Sequence, residues 1–408
     1  MRFLPVLFFL FFIDYFAFQT FVDVTGDWSR EAKTILYSLY WLVPFIAIGL
    51  TYAFATGIAK QWKKSTFTLV RSTITLTYFS KFFIILVLML GGVGQIFLSF
   101  YETVFGYQGF TFGHSNLISK IAITIGAIPF ITLLYGMLRN KYRYKIYPTT
   151  VDIPDLPMAL DGLKIVQISD IHSGSFTRKE PVRTAIQMIN EQEADLVFFT
   201  GDLVNSIAIE MDPFIDVFDK IKSRYGIFSI LGNHDYGDYV HWESADAKAQ
   251  NFEKLKHTHR LLGWDLILNS NRILQIKGEK VAIIGVENYS AKGRFAKYGN
   301  LEKAYEGTDD ANLKLLLSHD PSHWEDEVLE KYQDIKITFS GHTHGMQFGF
   351  EIPGWIKWSP IKYVYKQWAG LYKEGKQFLY VNRGFGFLGY PGRVGILPEI
   401  TVMNLKKR

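Results

Sequence analysis

Five short runs in the second half of the chain carry side chains that bind divalent metals. They are Asp170-Ile171-His172, Gly201-Asp202, Gly232-Asn233-His234-Asp235, Ser318-His319-Asp320 and Gly341-His342-Thr343-His344. Carboxylate, imidazole and amide oxygen are hard or borderline ligands. Each run follows apolar, partly β-branched residues, so each ligand is expected where a strand ends and a loop begins. Taken singly, each reads more simply: Asp170 as a turn or cap residue, His342 and His344 as loop or core histidines, Asn233-His234-Asp235 as a turn. Together and in this order they read as a dinuclear metal site. Asp202 is the natural shared carboxylate, because Gly201 lets the backbone turn tightly after a strand at Asp195–Thr200. His114, His241, His257, His259 and His323 have no motif around them and are expected to be structural or on the surface.

The five blocks resemble the pattern of the calcineurin-like metallophosphoesterases, over roughly residues 150–408. Leu317-Ser318-His319-Asp320-Pro321, Gly341 to Gly345 and Val381-Asn382-Arg383-Gly384-Phe385-Gly386 are similar to bacterial membrane-associated members. Two positions depart from that pattern: Met346 follows Gly345 where a second glycine is common, and Asn205 stands where an acidic residue is common. Neither is a ligand in the family pattern. The resemblance implies that one metal takes Asp170, His172, Asp202 and His344, and a second takes Asp202, Asn233, His319 and His342. It also implies that His234 reaches the phosphate or leaving-group oxygen as a general acid, with Asp235 fixing its orientation and raising its basicity. Phosphoester hydrolysis needs a hydroxide at neutral pH and a way to neutralise phosphoryl charge; two metals on the order of 4 Å apart supply both. Asn233 is a neutral ligand, so the site keeps positive charge for an anionic substrate. The chain has no cysteine, so N and O ligands must hold the two divalent ions, which suits Mn, Fe or Zn.

The elements that must position these groups follow from the apolar runs. Strands are expected at Leu163–Ser169, Asp195–Thr200, Gly226–Leu231, Leu266–Leu268, Ile273–Ile276, Val281–Val286, Leu313–Leu317, Ile335–Phe339, Phe378–Asn382 and Glu399–Asn404. Helical patterns fall at Lys179–Glu191, near Pro213–Lys222 and at Ala245–Leu262. This is an α/β arrangement, and the resemblance implies a layered αββα sandwich of two central sheets flanked by helices.

In front of it, four apolar segments at about 3–21, 35–54, 82–100 and 121–138 each approach the ~20 residues that cross a bilayer. The first lacks a small-residue cleavage site and three more follow, so it is expected to be retained. Residues 1–146 therefore read as an all-α four-helix transmembrane domain and 147–408 as the metallophosphoesterase domain. Lys60, Lys63, Lys64, Arg71 and Lys81 lie between spans two and three, and Arg139, Lys141, Arg143 and Lys145 follow span four. By the positive-inside rule both segments are cytoplasmic, which puts the catalytic domain under a bacterial inner membrane. Asp14 sits within the first span, where an ionisable group signals function or an interhelical partner; a polar contact within the bundle is the simpler reading.

Substrate is less sharply drawn. Arg383 and Arg393, in glycine-rich surroundings, are candidates to hold a second phosphate or a polar headgroup, with turn-stabilising arginines as the alternative. Phe348, Phe350, Trp355, Trp358, Tyr363, Tyr365 and Trp368 form an aromatic segment that either walls the site, rests on the bilayer or folds on its own small core. The net charge of +5 is modest and the catalytic half has no basic stripe of interleaved aromatics, so nucleic acid is not an expected partner. The expected partners are the lipid bilayer and a phosphorylated, lipid-linked substrate. A soluble nucleotide or phosphoprotein substrate is the alternative enzyme reading, and a metal-binding membrane sensor or scaffold the non-enzyme one. The sequence sets no oligomeric state.

Overall fold

A computed structural model describes residues 4–58, 62, 64–106, 116–292, 295–352 and 354–408. Phe3, Lys60, Lys63 and His114 lie outside these. The chain divides into two compact units, Met1–Tyr135 and Gly136–Arg408, a division slightly earlier than the 146/147 boundary expected from hydropathy.

The first unit consists of α1 (Leu4–Val24), α2 (Arg30–Ala55), α3 (Lys64–Phe105) and most of α4 (Asn116–Leu138). All four are long and apolar enough to cross a membrane. Large apolar side chains face outward, among them Phe8, Phe45 and Ile96, as lipid contact requires. At 42 residues, α3 is roughly 60 Å long by its helical rise, about twice the hydrocarbon core. Arg71 and Lys81 are thus helical, and not loop charges as the hydropathy boundaries imply. Lys81 is withdrawn from that count altogether, because its ammonium lies 2.5 Å from Asp14 Oδ1 and both side chains are buried. Tyr78 donates to Asp14 Oδ2 at 2.8 Å, and Tyr40 donates to the Asp14 carbonyl at 2.7 Å. Asp14 is therefore a tie between α1 and α3.

The second unit is built on two six-stranded sheets. In chain order its elements are β1 (Lys145–Ile153), β2 (Lys164–Ile168), α5 (Glu180–Asn190), β3 (Leu196–Thr200), α6 (Ile215–Phe218), β4 (Ile227–Ile230), α7 (Ala245–Leu261) and β5 (Asp265–Leu266). There follow β6 (Ser270–Ile276), β7 (Glu279–Gly285), α8 (Leu301–Tyr305), β8 (Leu313–Leu317), α9 (Leu329–Lys331) and β9 (Ile335–Ser340). The last are β10 (Phe350–Ile352), β11 (Ile356–Trp358), β12 (Gly370–Glu374), β13 (Gln377–Val381) and β14 (Glu399–Lys407). The first sheet runs β1-β14-β2-β3-β4-β5, the second β12-β13-β9-β8-β7-β6, with β10-β11 a separate hairpin. Strands β2, β3 and β4 are mutually parallel, as are β7, β8, β9 and β13.

These inner strands are buried on both faces, which is why they read as unbroken apolar runs. Between the sheets, Ile165, Phe198, Ile230, Leu315, Phe339 and Met403 share one core. Outside the first sheet, Val182 and Ile186 of α5 and Leu255 of α7 close a second. Outside the other, Leu301, Trp324 and Val328 close a third. The αββα layering is thereby complete. Its consequence is that parallel strands of both sheets bring their carboxyl ends to one side, where ligands collect in such sheets.

The Asp14–Lys81 tie makes a specific expectation. Removing one partner strands the other charge in an apolar setting, at a cost of about 3–5 kcal/mol. Asp14→Asn or Lys81→Met alone should lower the thermal unfolding midpoint of the detergent-solubilised chain more than the double variant does. Losses that simply add would contradict the pairing.

Candidate metal centre

Each chemical residue sits just past a strand. Asp170 and His172 follow β2, Asp202 follows β3, Asn233 and His234 follow β4, His319 follows β8, and His342 and His344 follow β9. Asp170, His172, Asp202, His342 and His344 all hold positive φ, between 47° and 70°. Such conformations are sparsely populated outside glycine and persist where surrounding structure imposes them. Gly201 is required here: its φ is +95°, and an added Cβ would lie 2.5 Å from Gly232 N and 2.8 Å from His319 Nδ1. The β3 and β4 turns thus touch backbone to backbone, which brings Asp202 and Asn233 together.

Two groups of donors result, Asp170 with His172 and His344, and Asp202 with His319 and His342. Within each, one ligand atom per residue lies within 4.8 Å of the others. They share a carboxylate: Asp202 Oδ2 is 3.5 Å from His172 Nε2 and 3.2 Å from His319 Nε2. Each imidazole is oriented through its second nitrogen. His172 Nδ1 donates to the Val204 carbonyl at 3.1 Å and His319 Nδ1 to the Thr200 carbonyl at 2.7 Å. His342 Nε2 meets the Tyr365 hydroxyl at 2.9 Å, and that hydroxyl donates to Asp320 Oδ2 at 3.1 Å. Asn233 Nδ2 donates to Tyr239 Oη at 2.8 Å, which turns Oδ1 toward His342 Nδ1, also at 2.8 Å. Outer contacts of this kind aim and tune metal ligands.

Divalent metals fit this donor set. His319 Nε2 is buried without a hydrogen-bond partner yet faces a carboxylate, as a ring nitrogen awaiting a cation does. Burial opposes ionisation of Asp170, but His344 and His319 outweigh it and hold the carboxyl well below its usual range. Asp202 is likewise held low against burial, chiefly by His319 and His234. Burial presses His319 toward neutrality, and the Asp202 carboxylate reverses this, raising it to about 10. His172 and His342 are pushed down by burial.

Asp235 does not orient His234. Its carboxylate accepts from the main-chain N–H groups of Asp202, Leu203, Val204 and Gly232, at 2.9 to 3.3 Å. Burial and the Asp202 charge raise it to about 7. It is a positioning residue that staples the β3 and β4 turns, since four convergent N–H donors in a buried turn demand an acceptor. His234 is oriented instead by the Asn205 carbonyl, 2.7 Å from Nδ1, and its ring lies against Tyr239 at 4.5 Å. The unusual side chain of Asn205 is therefore compatible with the site, because its main chain makes the contact.

Arg383 and Arg393 are not free to meet a phosphate. Arg393 is wholly buried and donates to the carbonyls of Arg383, Gly384 and Gly386. It braces a glycine-rich turn by satisfying these main-chain carbonyls. Arg383 is held between Glu351 at 2.8 Å and Glu399 at 2.7 Å. Tyr239 was not singled out by spacing, and the parts that Tyr365, Asp320 and the Asn205 carbonyl play were not visible there, for these contacts close only in three dimensions.

A calcineurin-like phosphoesterase model matches residues 163–346, and one for a probable calcineurin-like phosphoesterase transmembrane domain matches residues 1–141. An uncharacterized metallophosphoesterase of Bacillus subtilis is 31% identical over 282 residues, covering 67% of this chain and 90% of that one. The chain belongs to the calcineurin-like metallophosphoesterases. It is a metal-dependent phosphoric ester hydrolase carrying a membrane domain. A transmembrane protein with metallophosphoesterase domain of Danio rerio is 28% identical over 284 residues; the chain covers 61% of its length, with 68% of this chain matched. A UDP-2,3-diacylglucosamine pyrophosphatase of Chlamydia trachomatis is 25% identical over 310 residues, covering 64% of this phosphoesterase and 90% of that protein.

The raised basicity of His319 sets a pH dependence. In chelated protein the Asp202–His319 attraction stabilises the fold fully below about pH 6.5, and that contribution is lost as pH rises through about 10. A metal must displace the imidazole proton, so its apparent affinity should climb with pH, with proton release on Mn²⁺ titration followed by an indicator dye. Affinity that stays flat between about pH 6 and about pH 9 would contradict the assignment of His319 as a ligand.

Proposed function

We propose that the chain is a two-metal phosphoesterase that hydrolyses a phosphodiester, phosphomonoester or pyrophosphate bond of a lipid-linked substrate. The observation that carries the two-metal reading is the Asp202 carboxylate, shared at 3.5 and 3.2 Å between imidazoles of two donor groups. Asp170, His172, Asp202 and His344 would hold one ion; Asp202, Asn233, His319 and His342 would hold the other. Mn, Fe or Zn suits these N and O donors. Bound there, the ions supply a nucleophile at neutral pH and neutralise phosphoryl charge. The protein's own groups do the rest. His234, its Nδ1 committed to Asn205, presents Nε2 to protonate the leaving oxygen. Tyr239 packs on that ring and limits its rotation, while Asp235 keeps the two turns in register.

A lipid-linked substrate is supported by the membrane spans and by the Chlamydia relative, whose name describes a diacylated sugar nucleotide pyrophosphatase. Lys60, Lys63, Lys64, Arg139, Lys141, Arg143 and Lys145 support the orientation reading, with the catalytic domain on the cytoplasmic side of a bacterial inner membrane.

Full-length protein in detergent, chelated and resupplied with Mn²⁺, should cleave a chromogenic phosphodiester or monoester. His234→Ala should lower kcat by about 10²–10⁴, and Asp202→Asn should abolish activity. Acylated pyrophosphate substrates in mixed micelles should be cut faster than their deacylated headgroups. Wild-type turnover in His234→Ala would remove the general-acid role, and equal rates on both substrates would remove the lipid preference.

A further inference from the structure

The hairpin β10–β11 is built inside out for a protein in water. Phe350 pairs with Trp358, Glu351 with Lys357, and Ile352 with Ile356. Alternation therefore puts Phe350, Ile352, Ile356 and Trp358 on one face and the two charged residues on the other. A water-facing hairpin hides the first set. Here Glu351 turns inward onto the Arg383 guanidinium, while Lys357, though exposed along its length, ties its ammonium to the Ala369 carbonyl and the Trp368 ring. Most of the apolar face turns out: Phe350 is 46% exposed, Ile352 47%, Ile356 40%, and Trp355 at the turn 81%, with Trp358 half-buried. Tyr363 and Val364, in the next turn, are exposed as well. Tyr365 and Trp368 of the same segment are buried in a small core with Ala369 and Ile396. The exposed residues are thus not the overflow of an unformed core.

What covers this face follows from its neighbours, all within Gly136–Arg408. The strand entering the hairpin is laid beside Val394: Gly349 N donates to the Val394 carbonyl at 2.9 Å and Val394 N to the Gln347 carbonyl at 2.8 Å. One residue earlier, Arg393 N donates to the Gly136 carbonyl at 3.3 Å, and Asn140 donates to the Arg393 carbonyl at 3.1 Å. Gly136 lies in the last turn of the last apolar helix, and Asn140 lies just past its end at Leu138. Within this unit, therefore, the single segment Arg393–Val394 links the entry of the hairpin to the end of that helix. Beside it, Lys145 and Tyr147 of β1 line a groove of about 560 Å³ together with Lys357 and Trp355. Exposed Trp and Tyr with nearby lysines are the composition of a headgroup-level contact.

We infer that the Phe350–Trp358 hairpin and the Tyr363–Val364 turn form a second membrane contact, lying in the headgroup layer of an anionic bilayer. This contact is independent of the metal chemistry. It would hold the face that follows His344 against the lipid surface, so that the site samples molecules embedded there.

The absence of cysteine makes the test direct. Full-length Ile352→Cys, Trp355→Cys and Tyr363→Cys, with Lys222→Cys from the helix side of the first sheet as control, are labelled with an environment-sensitive fluorophore. They are reconstituted into bilayers containing phosphatidylglycerol and lipids with nitroxide headgroups. The three labels should emit to the blue of the control and lose intensity to the nitroxide, while the Lys222→Cys label does neither. Labels that match the control would overturn the proposal. Blue-shifted labels that the nitroxide leaves unquenched would overturn it too, since protein rather than lipid would then cover the face.

Discussion

Two fully buried carboxylates, Asp170 and Asp202, lie within a nest of imidazoles, and the catalytic unit is organised around keeping that cluster satisfied. Burying an ionised carboxylate is expensive unless opposite charge and donors meet it. Here the His342 N–H reaches Asp170 at 3.0 Å and the His234 N–H reaches Asp202 at 2.9 Å. Divalent metals would complete the compensation. Tight turns follow from the same need, because only close backbone approach can deliver main-chain donors to these oxygens. The left-handed conformations at five of the donors are the local cost, sustained by three apolar cores that leave the strands no other path.

The two sheets explain why one cluster can take residues from such distant parts of the chain. Parallel strands end on the same side, so Asp170 and His344 become neighbours at 3.2 Å despite their separation in sequence. The staple at Asp235 adds rigidity between β3 and β4. Its carboxyl is raised to about 7, first by burial and then by the neighbouring Asp202 charge.

Much of this was legible because each donor directly follows a doubly buried strand, whose unbroken apolar run marks its own end. The roles that were not legible depend on loop closure. Nothing near Asp235 in sequence shows that four N–H groups will converge on it, and nothing near Tyr239 or Tyr365 shows that their hydroxyls will reach Asn233 and His342. Strand β1 escaped notice because Pro148 and the charged and polar residues around it break an apolar run, and its partner β14 lies at the far end of the chain. The helix expected near Pro213–Lys222 is a single short turn, Ile215–Phe218, preceded by a 3₁₀ turn at Asp212–Phe214. In the membrane unit, hydropathy found the spans but could not reveal that Lys81 answers Asp14.

The central claim is that Asp202 is shared by two ions. Metal content of the purified full-length protein, by elemental analysis after Mn²⁺ loading and desalting, bears on it most directly, with Asp202→Asn measured alongside. Two ions per chain in the native protein, and fewer than one in the variant, are the values this account requires. A single ion in the native chain, or two retained after the substitution, would contradict it.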